Sequence, residues 1–288
     1  ALKDTLGIAK VNNSIGLIEI KRGNYTKGLQ YSLAAIKILE SKNLKNELRL
    51  AYSNLANAYY NINAFDKATE FYLKALNIQE QMNDQQGINE SYTRLAELYS
   101  NKKEHRKAIE YYEKILGGVS GNSDSIRANI LPKLGGEYLK FNDFDKAQTY
   151  LVQAYNLNIR SKNQENLLTV LNNLGDLNLQ ENRIVLAEKQ ILEAGSIAKE
   201  IDNKIELLRH YELMKAIDST KRNFDRAFIW QRKYYDLQKV LNKSAINIDY
   251  ITKAPPELEL DPNFDKEELP KTNLATANKI DKENQEES

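Results

Sequence analysis

Residues 49–88 read RLAYSNLANAYYNINAFDKATEFYLKALNIQEQMNDQQGI, and this stretch decides the fold. In its first half Ala56 precedes Tyr59, and in its second half Ala68 precedes Tyr72. Small and bulky residues that alternate at helical spacing predict two antiparallel helices whose axes approach to about 8–10 Å. A larger side chain at Ala56 or Ala68 would overpack this crossing and destabilise it by about 1–3 kcal/mol.

The same pattern occurs six times in one register along the chain. The second small position of each copy lies 40, 40, 39, 40 and 40 residues after the preceding one. A third position, at the tip of each predicted hairpin, is a large residue in every copy. Six matches at a nearly constant period indicate a helical repeat. The first small positions are Gly16, Ala56, Ala96, Gly135, Gly175 and Lys215; the second are Gly28, Ala68, Ala108, Ala147, Ala187 and Ala227; the tips are Tyr25, Phe65, His105, Phe144, Ile184 and Phe224.

Three of the tips follow a residue that commonly caps helices and precede an acid, as in Asn63-Ala64-Phe65-Asp66. An asparagine that accepts from the amides of the next turn favours helix initiation, and an acid near the helix start adds to this effect. We therefore predict that these asparagines cap the second helix of their hairpin.

This pattern resembles that of the tetratricopeptide repeat over about residues 5–242. The commoner form of that family has about 34 residues per repeat. The longer period resembles the branch that includes kinesin light chains, Rap-type peptide-responsive regulators and sensor regions of bacterial signalling proteins. The resemblance implies an all-α, right-handed α-solenoid of about six antiparallel helix pairs. The family shares an architecture rather than an activity. The implied solenoid spans residues 4–253, with repeats at about 9–48, 49–88, 89–127, 128–167, 168–207 and 208–250.

Composition separates this solenoid from an acidic, proline-containing tail at residues 254–288. The tail has ten acids and four lysines, a net charge of −6, and residues 1–253 therefore carry +7. Such a composition predicts a disordered or extended segment. The asymmetry suggests that the tail interacts with the body or with a partner. With 41 bases and 40 acids in total and no basic stripe, we expect no nucleic-acid partner.

We expect no catalytic residue, metal or cofactor. The chain has no cysteine, which excludes disulfides and thiolate chemistry. His105 occupies a tip position and His210 stands alone on a helix, and neither has a partner at metal-ligand spacing. No apolar run approaches the roughly 18 residues that cross a membrane, so we expect no membrane insertion. The start at Ala1 suggests that something upstream was removed, and the cytoplasm and a bacterial extracytoplasmic space both remain open.

The resemblance implies that the first helix of each repeat lines a concave groove for an extended peptide or partner segment. Asparagines in the groove can pair with any peptide backbone, because the amide both donates and accepts. Asn54 and Asn173 match positions where kinesin light chains contact peptide backbone, whereas Arg94 and Lys133 interrupt this ladder and favour a peptide with acids near its middle. The alternative interpretation, that these asparagines are ordinary surface residues, has equal weight. The predicted groove residues are Asn13, Asn54, Asn57, Tyr60, Asn61, Arg94, Glu97, Asn101, Lys133, Lys140, Asn172, Asn173 and Asp176.

Three irregular features interrupt the repeat pattern. Repeat one is atypical and fits either a true N-terminal cap or the cut edge of a longer array. A glycine-rich loop at 117–121, followed by Pro132, predicts a helix start near Asn129 or a kink, and thus either a hinge or a merely irregular loop. Apolar residues continue past Phe224 to about Tyr250, which predicts an extended last helix that caps the stack.

These observations leave three functional hypotheses. The first is a non-catalytic protein-interaction scaffold. The second adds regulation: the acidic tail occupies the groove until a partner displaces it. The third is a peptide-responsive or sensor region of a larger bacterial signalling protein.

Overall fold

The computed structural model of the chain describes residues 5–118 and 123–249, with side chains described up to residue 241. These residues form twelve α-helices and no β-strand. Nine of the helices are 17 residues long. The helices are α1 (Thr5–Lys21), α2 (Tyr25–Ser41), α3 (Lys45–Asn61), α4 (Phe65–Gln81), α5 (Gln85–Asn101), α6 (His105–Gly117), α7 (Asp124–Lys140), α8 (Phe144–Ser161), α9 (Gln164–Gln180), α10 (Ile184–Glu200), α11 (Lys204–Thr220) and α12 (Phe224–Asp249).

The helices pack as hairpins that are stacked in series. Each helix contacts the next one along the chain, and first helices of neighbouring hairpins also contact each other, as α7 does with α9 and α9 with α11. Within the described residues there is thus a helical-repeat solenoid. The predicted all-α solenoid is confirmed.

Small residues at the helix crossings explain why the period is so regular. The alanines at these positions in the first five hairpins are fully buried, including Ala56, Ala68 and Ala96. In the first hairpin a Cβ on Gly28 would lie 2.9 Å from the carbonyl oxygen of Gly16, so the two backbones touch. Any larger residue there would push the helices apart.

The connections between helices share one backbone feature. Each described turn has one residue in the left-handed region, at Gly23, Asn43, Asn63, Asn83, Lys103, Asn142, Lys162, Asn182, Asp202 and Arg222. These residues recur every 20 positions, except across residues 119–122, which lie outside the described ranges. Five of them are asparagine, the residue after glycine that tolerates this conformation best. Turns within and between hairpins are therefore equivalent.

This turn geometry corrects the predicted role of Asn63. The residue that precedes α4 is Ala64, whose side chain makes no capping hydrogen bond, while Asn63 has φ 58°. Asn63 thus ends the preceding helix in a left-handed turn. The prediction that it caps α4 is wrong, because the turn needs its backbone rather than its amide oxygen.

Pro132 lies inside α7, which begins at Asp124, so the predicted start near Asn129 is also wrong. A proline has no N–H, and it therefore leaves the carbonyl of Ala128, one turn earlier, without its helical donor. Two side chains from the next helices replace that donor: the Nδ2 atoms of Asn158 and Asn166 lie 3.0 and 3.2 Å from the Ala128 oxygen. The helix tolerates proline because its neighbours supply the missing hydrogen bond.

The last helix is longer than the others. α12 has 26 residues and ends at Asp249, close to the end that the apolar pattern predicts. The tail at 254–288 lies outside the described residues, so its state and the domain boundaries stay predictions. The hinge predicted around 117–121 also falls partly on residues that are not described and stays a prediction.

Candidate partner-binding cleft

A cleft of about 890 Å³ crosses the first helices of hairpins two to five. Its residues come mainly from α5 and α7, with two each from α3 and α4 and one each from α6 and α9. The lining residues are Ser53, Asn57, Tyr72, Gln79, Gln85, Gln86, Asn89, Glu90, Ser91, Thr93, Arg94, Glu97, Ile115, Ile126, Asn129, Ile130, Lys133 and Asn166. We call this site the cleft.

Four predicted groove residues line the cleft: Asn57, Arg94, Glu97 and Lys133. They sit two residues before or one residue after the first small position of their repeat, on the side of the first helix that faces away from the hairpin crossing. The repeat register brings them together, because each new first helix lies beside the previous one. Four of the predicted groove residues therefore lie together in the cleft, and their role in binding stays a prediction.

The charges in the cleft balance each other. The Glu97 carboxylate accepts from the Arg94 guanidinium at 3.1 Å and from the Lys133 ammonium at 2.6 Å. Glu90 is the fourth charged residue of the lining, so two cations face two acids. The two cations that suggested an acidic ligand are therefore already paired with protein carboxylate.

Amide side chains dominate the rest of the lining. Seven of the 18 residues are Asn or Gln. The Tyr72 hydroxyl donates to Oδ1 of Asn57 at 2.7 Å, and burial raises the pKa of Tyr72, so the phenol stays a neutral donor. Ser91 donates to Oε1 of Gln79 at 2.7 Å. Since an amide has two donor hydrogens and an acceptor with two lone pairs, these bonds fix the side chains without exhausting them.

Sequence reasoning missed the lining residues that lie nearer the start of each first helix. Gln85 and Asn89 of α5 precede Thr93 and Glu97 at steps of four, so all four share one helix face. Extending the groove register backwards by two turns would have found them. Gln79 and Ile115 come from second helices, and no groove position predicts them.

In α9 the predicted groove residues are packed instead of open. Asn173 is buried: its Nδ2 donates to the Pro132 carbonyl at 3.0 Å and its Oδ1 accepts from Arg209 at 2.7 Å. Asn172 is also buried and donates to Glu206 at 2.7 Å. Asp176 accepts from Gln180 at 3.0 Å. Asn172 and Asn173 differ from the sequence expectation, because neighbouring helices bury both side chains, and we leave them out of the proposed site.

The other predicted residues lie outside the cleft. Asn101 donates to the Tyr60 hydroxyl at 2.5 Å, which joins neighbouring first helices. Lys140 donates to Glu137 at 2.7 Å. Asn61 is exposed and Asn54 is half-buried. Asn13 is half-buried, and its Oδ1 has no hydrogen-bond partner among the described residues.

Both histidines have structural surroundings. His105 Nδ1 lies 2.9 Å from the buried carboxylate of Glu137, which also accepts from Ser100 at 2.6 Å. Burial alone would raise the pKa of Glu137, but hydrogen bonds from Lys140, Ser100 and His105 hold it below its ordinary value. His210 is 2% exposed, its Nδ1 lies 2.8 Å from the Ile191 carbonyl, and burial lowers its pKa to about 4.

The described residues contain neither a cluster of metal ligands nor a membrane-spanning helix. No group of three or more His, Cys, Asp or Glu residues is placed to hold a metal ion there. No helix in those ranges is both long and apolar enough to cross a membrane.

Comparisons with known proteins agree with this architecture. A family model described as tetratricopeptide repeat matches residues 7–81, and a second model with that description matches residues 90–117. No curated protein sequence matches the chain. The stacked hairpins and the matched repeats define a helical-repeat scaffold. The chain contains tetratricopeptide repeats over residues 7–81 and 90–117.

Three solved structures share the fold at low sequence identity. A signal transduction ATPase with numerous domains and a tetratricopeptide-repeat sensor, from Pyrococcus horikoshii, has a TM-score of 0.69 and 18% identity, over 84% of this chain and 39% of that one. Apo RapI has a TM-score of 0.66 and 15% identity, over 84% and 87%. A Rap protein complexed with competence and sporulation factor has a TM-score of 0.54 and 14% identity, over 81% and 75%.

Proposed function

We propose that this chain is a non-catalytic binding module that holds an extended peptide, or an extended segment of a partner protein, in the cleft. The observation that carries the proposal is the lining itself. Seven amide side chains line a cleft of about 890 Å³, and six of them belong to the first helices of successive hairpins. An extended peptide presents unpaired N–H and C=O groups on both sides of its backbone, and amides pair with both kinds of group.

The energetics favour an extended ligand over a compact one. A single hydrogen bond contributes only about 1 kcal/mol net. Micromolar binding needs about 8 kcal/mol after the loss of translational and rotational freedom, so several amides have to act together along the ligand. The arrangement of lining residues over α3, α5 and α7 supplies such a series.

A preference for acidic peptides is a finer part of the proposal. A ligand carboxylate would have to compete with Glu97 for Arg94 and Lys133, which Glu97 now holds at 3.1 and 2.6 Å. The exchange is close to neutral in charge, because one carboxylate replaces another. We therefore propose an acid-tolerant cleft whose main contacts are to the peptide backbone.

A phage-displayed library of random peptides, selected on the immobilised chain, tests the proposal without a known ligand. Isothermal titration calorimetry then measures the affinity of an enriched peptide. We expect the double variant Asn57→Ala/Arg94→Ala to bind it about tenfold more weakly, a loss of about 1.4 kcal/mol. The matched control Asn61→Ala/Asn101→Ala changes two predicted groove residues outside the cleft and should leave the affinity unchanged. Failure to enrich any peptide, or equal losses in both variants, would refute the cleft as the binding site.

A second candidate function is a peptide-responsive sensor region. The Pyrococcus horikoshii protein is described as carrying a tetratricopeptide-repeat sensor, and the Rap structure contains competence and sporulation factor. In this candidate the acidic tail, with its charge of −6, occupies the cleft until the signal displaces it. Tethering gives such a segment an effective concentration of about millimolar, so weak contacts suffice. Deleting residues 254–288 should then raise the affinity for the enriched peptide, and an unchanged affinity would remove the self-occlusion.

A further inference from the structure

The last helix carries an apolar stripe on its surface. Phe224, Phe228 and Tyr235 of α12 are 68%, 70% and 59% exposed. Their spacings of four and seven residues place all three on one face of the helix. Isolated exposed apolar residues are common, but three large ones in a row indicate a surface that another element covers.

The repeat register shows what this stripe would normally contact. The residues equivalent to Phe224 in the five earlier hairpins are all buried or half-buried, and one of them, His105, contacts Glu137 of the next hairpin. The residues equivalent to Tyr235 are also covered: Ile36 and Leu76 are buried, and Tyr155 packs against the next hairpin around Leu167. Phe224 and Tyr235 therefore occupy hairpin-packing positions that no described element covers, and Phe228 lies on the same helix face between them.

We propose that a second copy of this chain covers the stripe, with the two α12 helices antiparallel about a two-fold axis near Gln231 and Arg232. In this register Phe228 faces Tyr235 of the second copy. Lys239 of the second copy comes within one residue of the position opposite Asp225, a rise of about 1.5 Å, and symmetry repeats both pairs. The charges that flank the stripe are thus complementary about this axis. Two helices packed in this way are about 8–10 Å apart, as in the hairpins of the solenoid.

One residue near the axis would oppose this pairing if its charge were isolated. Arg232 and its symmetry mate would lie close together across the axis. The Arg232 guanidinium, however, is 3.9 Å from the carboxylate of Asp236 on the same helix. The two cations therefore meet with their charges partly compensated, and the flexible side chains can extend sideways into solvent.

Light scattering coupled to size-exclusion chromatography tests the proposal on the full chain. We expect a mass of twice the 33.1 kDa of one copy, at concentrations where Phe228→Asp/Tyr235→Asp gives the mass of one copy. The matched control is Val185→Asp. Val185 is 81% exposed, but its equivalents in the other hairpins are exposed as well, so this variant should remain dimeric. A helical circular dichroism spectrum equal to that of the parent chain confirms that each variant is folded.

Single cysteines test the antiparallel register, because the chain has no cysteine of its own. A disulfide needs two Cα atoms within about 7 Å. Arg232→Cys lies near the proposed axis and should form an intermolecular disulfide on mild oxidation. Phe224→Cys lies more than seven residues from the axis, about 20 Å from its symmetry mate at 1.5 Å per residue, and should not. A chain that is monomeric at all concentrations, a dimer that Phe228→Asp/Tyr235→Asp leaves intact, or equal cross-linking at both cysteines would overturn the proposal.

Discussion

Two halves of the solenoid use the same repeat positions in different ways. In the open half, α3 to α7, the groove positions hold Asn57, Arg94 and Lys133, which line the cleft. In the closed half, α8 to α11, the same kind of position holds Asn172 and Asn173, which are buried. A groove position therefore serves recognition or packing according to what the neighbouring helix places against it.

The closed half owes its packing to two residues of α7. Gly136 has no side chain, and a Cβ there would lie 2.9 Å from Nδ2 of Asn173, so α9 can approach α7 closely. Pro132 leaves the Ala128 carbonyl without its helical donor, and Asn158 and Asn166 supply donors from α8 and α9. Because of Gly136 and Pro132, asparagine amides of α8 and α9 pack against α7, where a ligand does not reach them. In α5 the corresponding region has neither proline nor a second glycine, and its polar residues remain accessible.

The largest effect we expect concerns the pH dependence of the closed half, where His210 packs against α10. The pKa of His210 is about 4 in the folded chain because burial disfavours the imidazolium, against an ordinary value of 6.5. Between these values only the unfolded chain binds the proton, so the free energy of unfolding falls as the pH is lowered from 6.5 to 4. At about 1.4 kcal/mol per pH unit, the loss amounts to about 3 kcal/mol.

The variant His210→Gln isolates this contribution, because acidic groups elsewhere also titrate in the same range. Urea unfolding followed by circular dichroism at neutral and at acidic pH should show that the parent chain loses about 3 kcal/mol more than the variant. Equal losses would mean that His210 is protonated in the folded chain and that the closed half opens in acid.

The next effect concerns the asparagines that donate to the Ala128 carbonyl, which Pro132 leaves without its helical donor. Asn158→Ala removes a buried donor to the Ala128 carbonyl, and we expect a loss of about 2 kcal/mol in the free energy of unfolding. Asn156→Ala, on the exposed face of the same helix, is the matched control and should change it by less than about 0.5 kcal/mol. Restoring the backbone N–H with Pro132→Ala should reduce the loss caused by Asn158→Ala by about 1 kcal/mol. Strict additivity of the two changes would show that Asn158 does not substitute for the missing backbone donor.

The fold could be predicted from the sequence because its cause is local and repeated. Six small–large patterns at one period fix both the helix pairs and the order of stacking. The turns are less well predicted. The side chain of Asn63 predicts a helix cap, whereas its backbone adopts a left-handed turn. The signal that would have corrected this is the 20-residue recurrence of left-handed turn residues, five of them asparagine.

The candidate site could be predicted only in part, because its lining depends on contacts between repeats. The register located Asn57, Arg94, Glu97 and Lys133, which come from regular first helices. It could not show that Asn173 is buried, because that depends on Pro132 and Gly136, which lie about one repeat earlier. Asparagine has the same hydrogen-bonding capacity in the cleft and in the core, so residue type alone does not separate the two roles.

A smaller effect is expected when the affinity for a peptide is compared between variants of the open half and of the closed half. Asn57→Ala in the open half should weaken binding of a library-selected peptide by about fivefold, or about 1 kcal/mol, because one cleft amide is lost. Asn172→Ala in the closed half should lower the free energy of unfolding but leave the affinity of the folded chain unchanged. Calorimetric titration and urea unfolding of both variants provide the comparison. A loss of affinity in Asn172→Ala equal to that in Asn57→Ala would show that the ligand also depends on the buried groove positions of α9.

The smallest expected effect concerns the charge of the cleft. Glu97→Gln removes the carboxylate that pairs with Arg94 and Lys133, while an amide of similar size keeps an acceptor in place. The cleft then has two cations and one acid, and an acidic peptide should bind a few-fold more tightly, by less than about 1 kcal/mol because the groups are partly exposed. The gain should disappear at high salt, since exposed charges are screened over about 10 Å at 0.1 M ionic strength. A neutral peptide of the same length is the control, and an equal gain for both peptides would mean that Glu97 acts through the shape of the cleft and not through its charge.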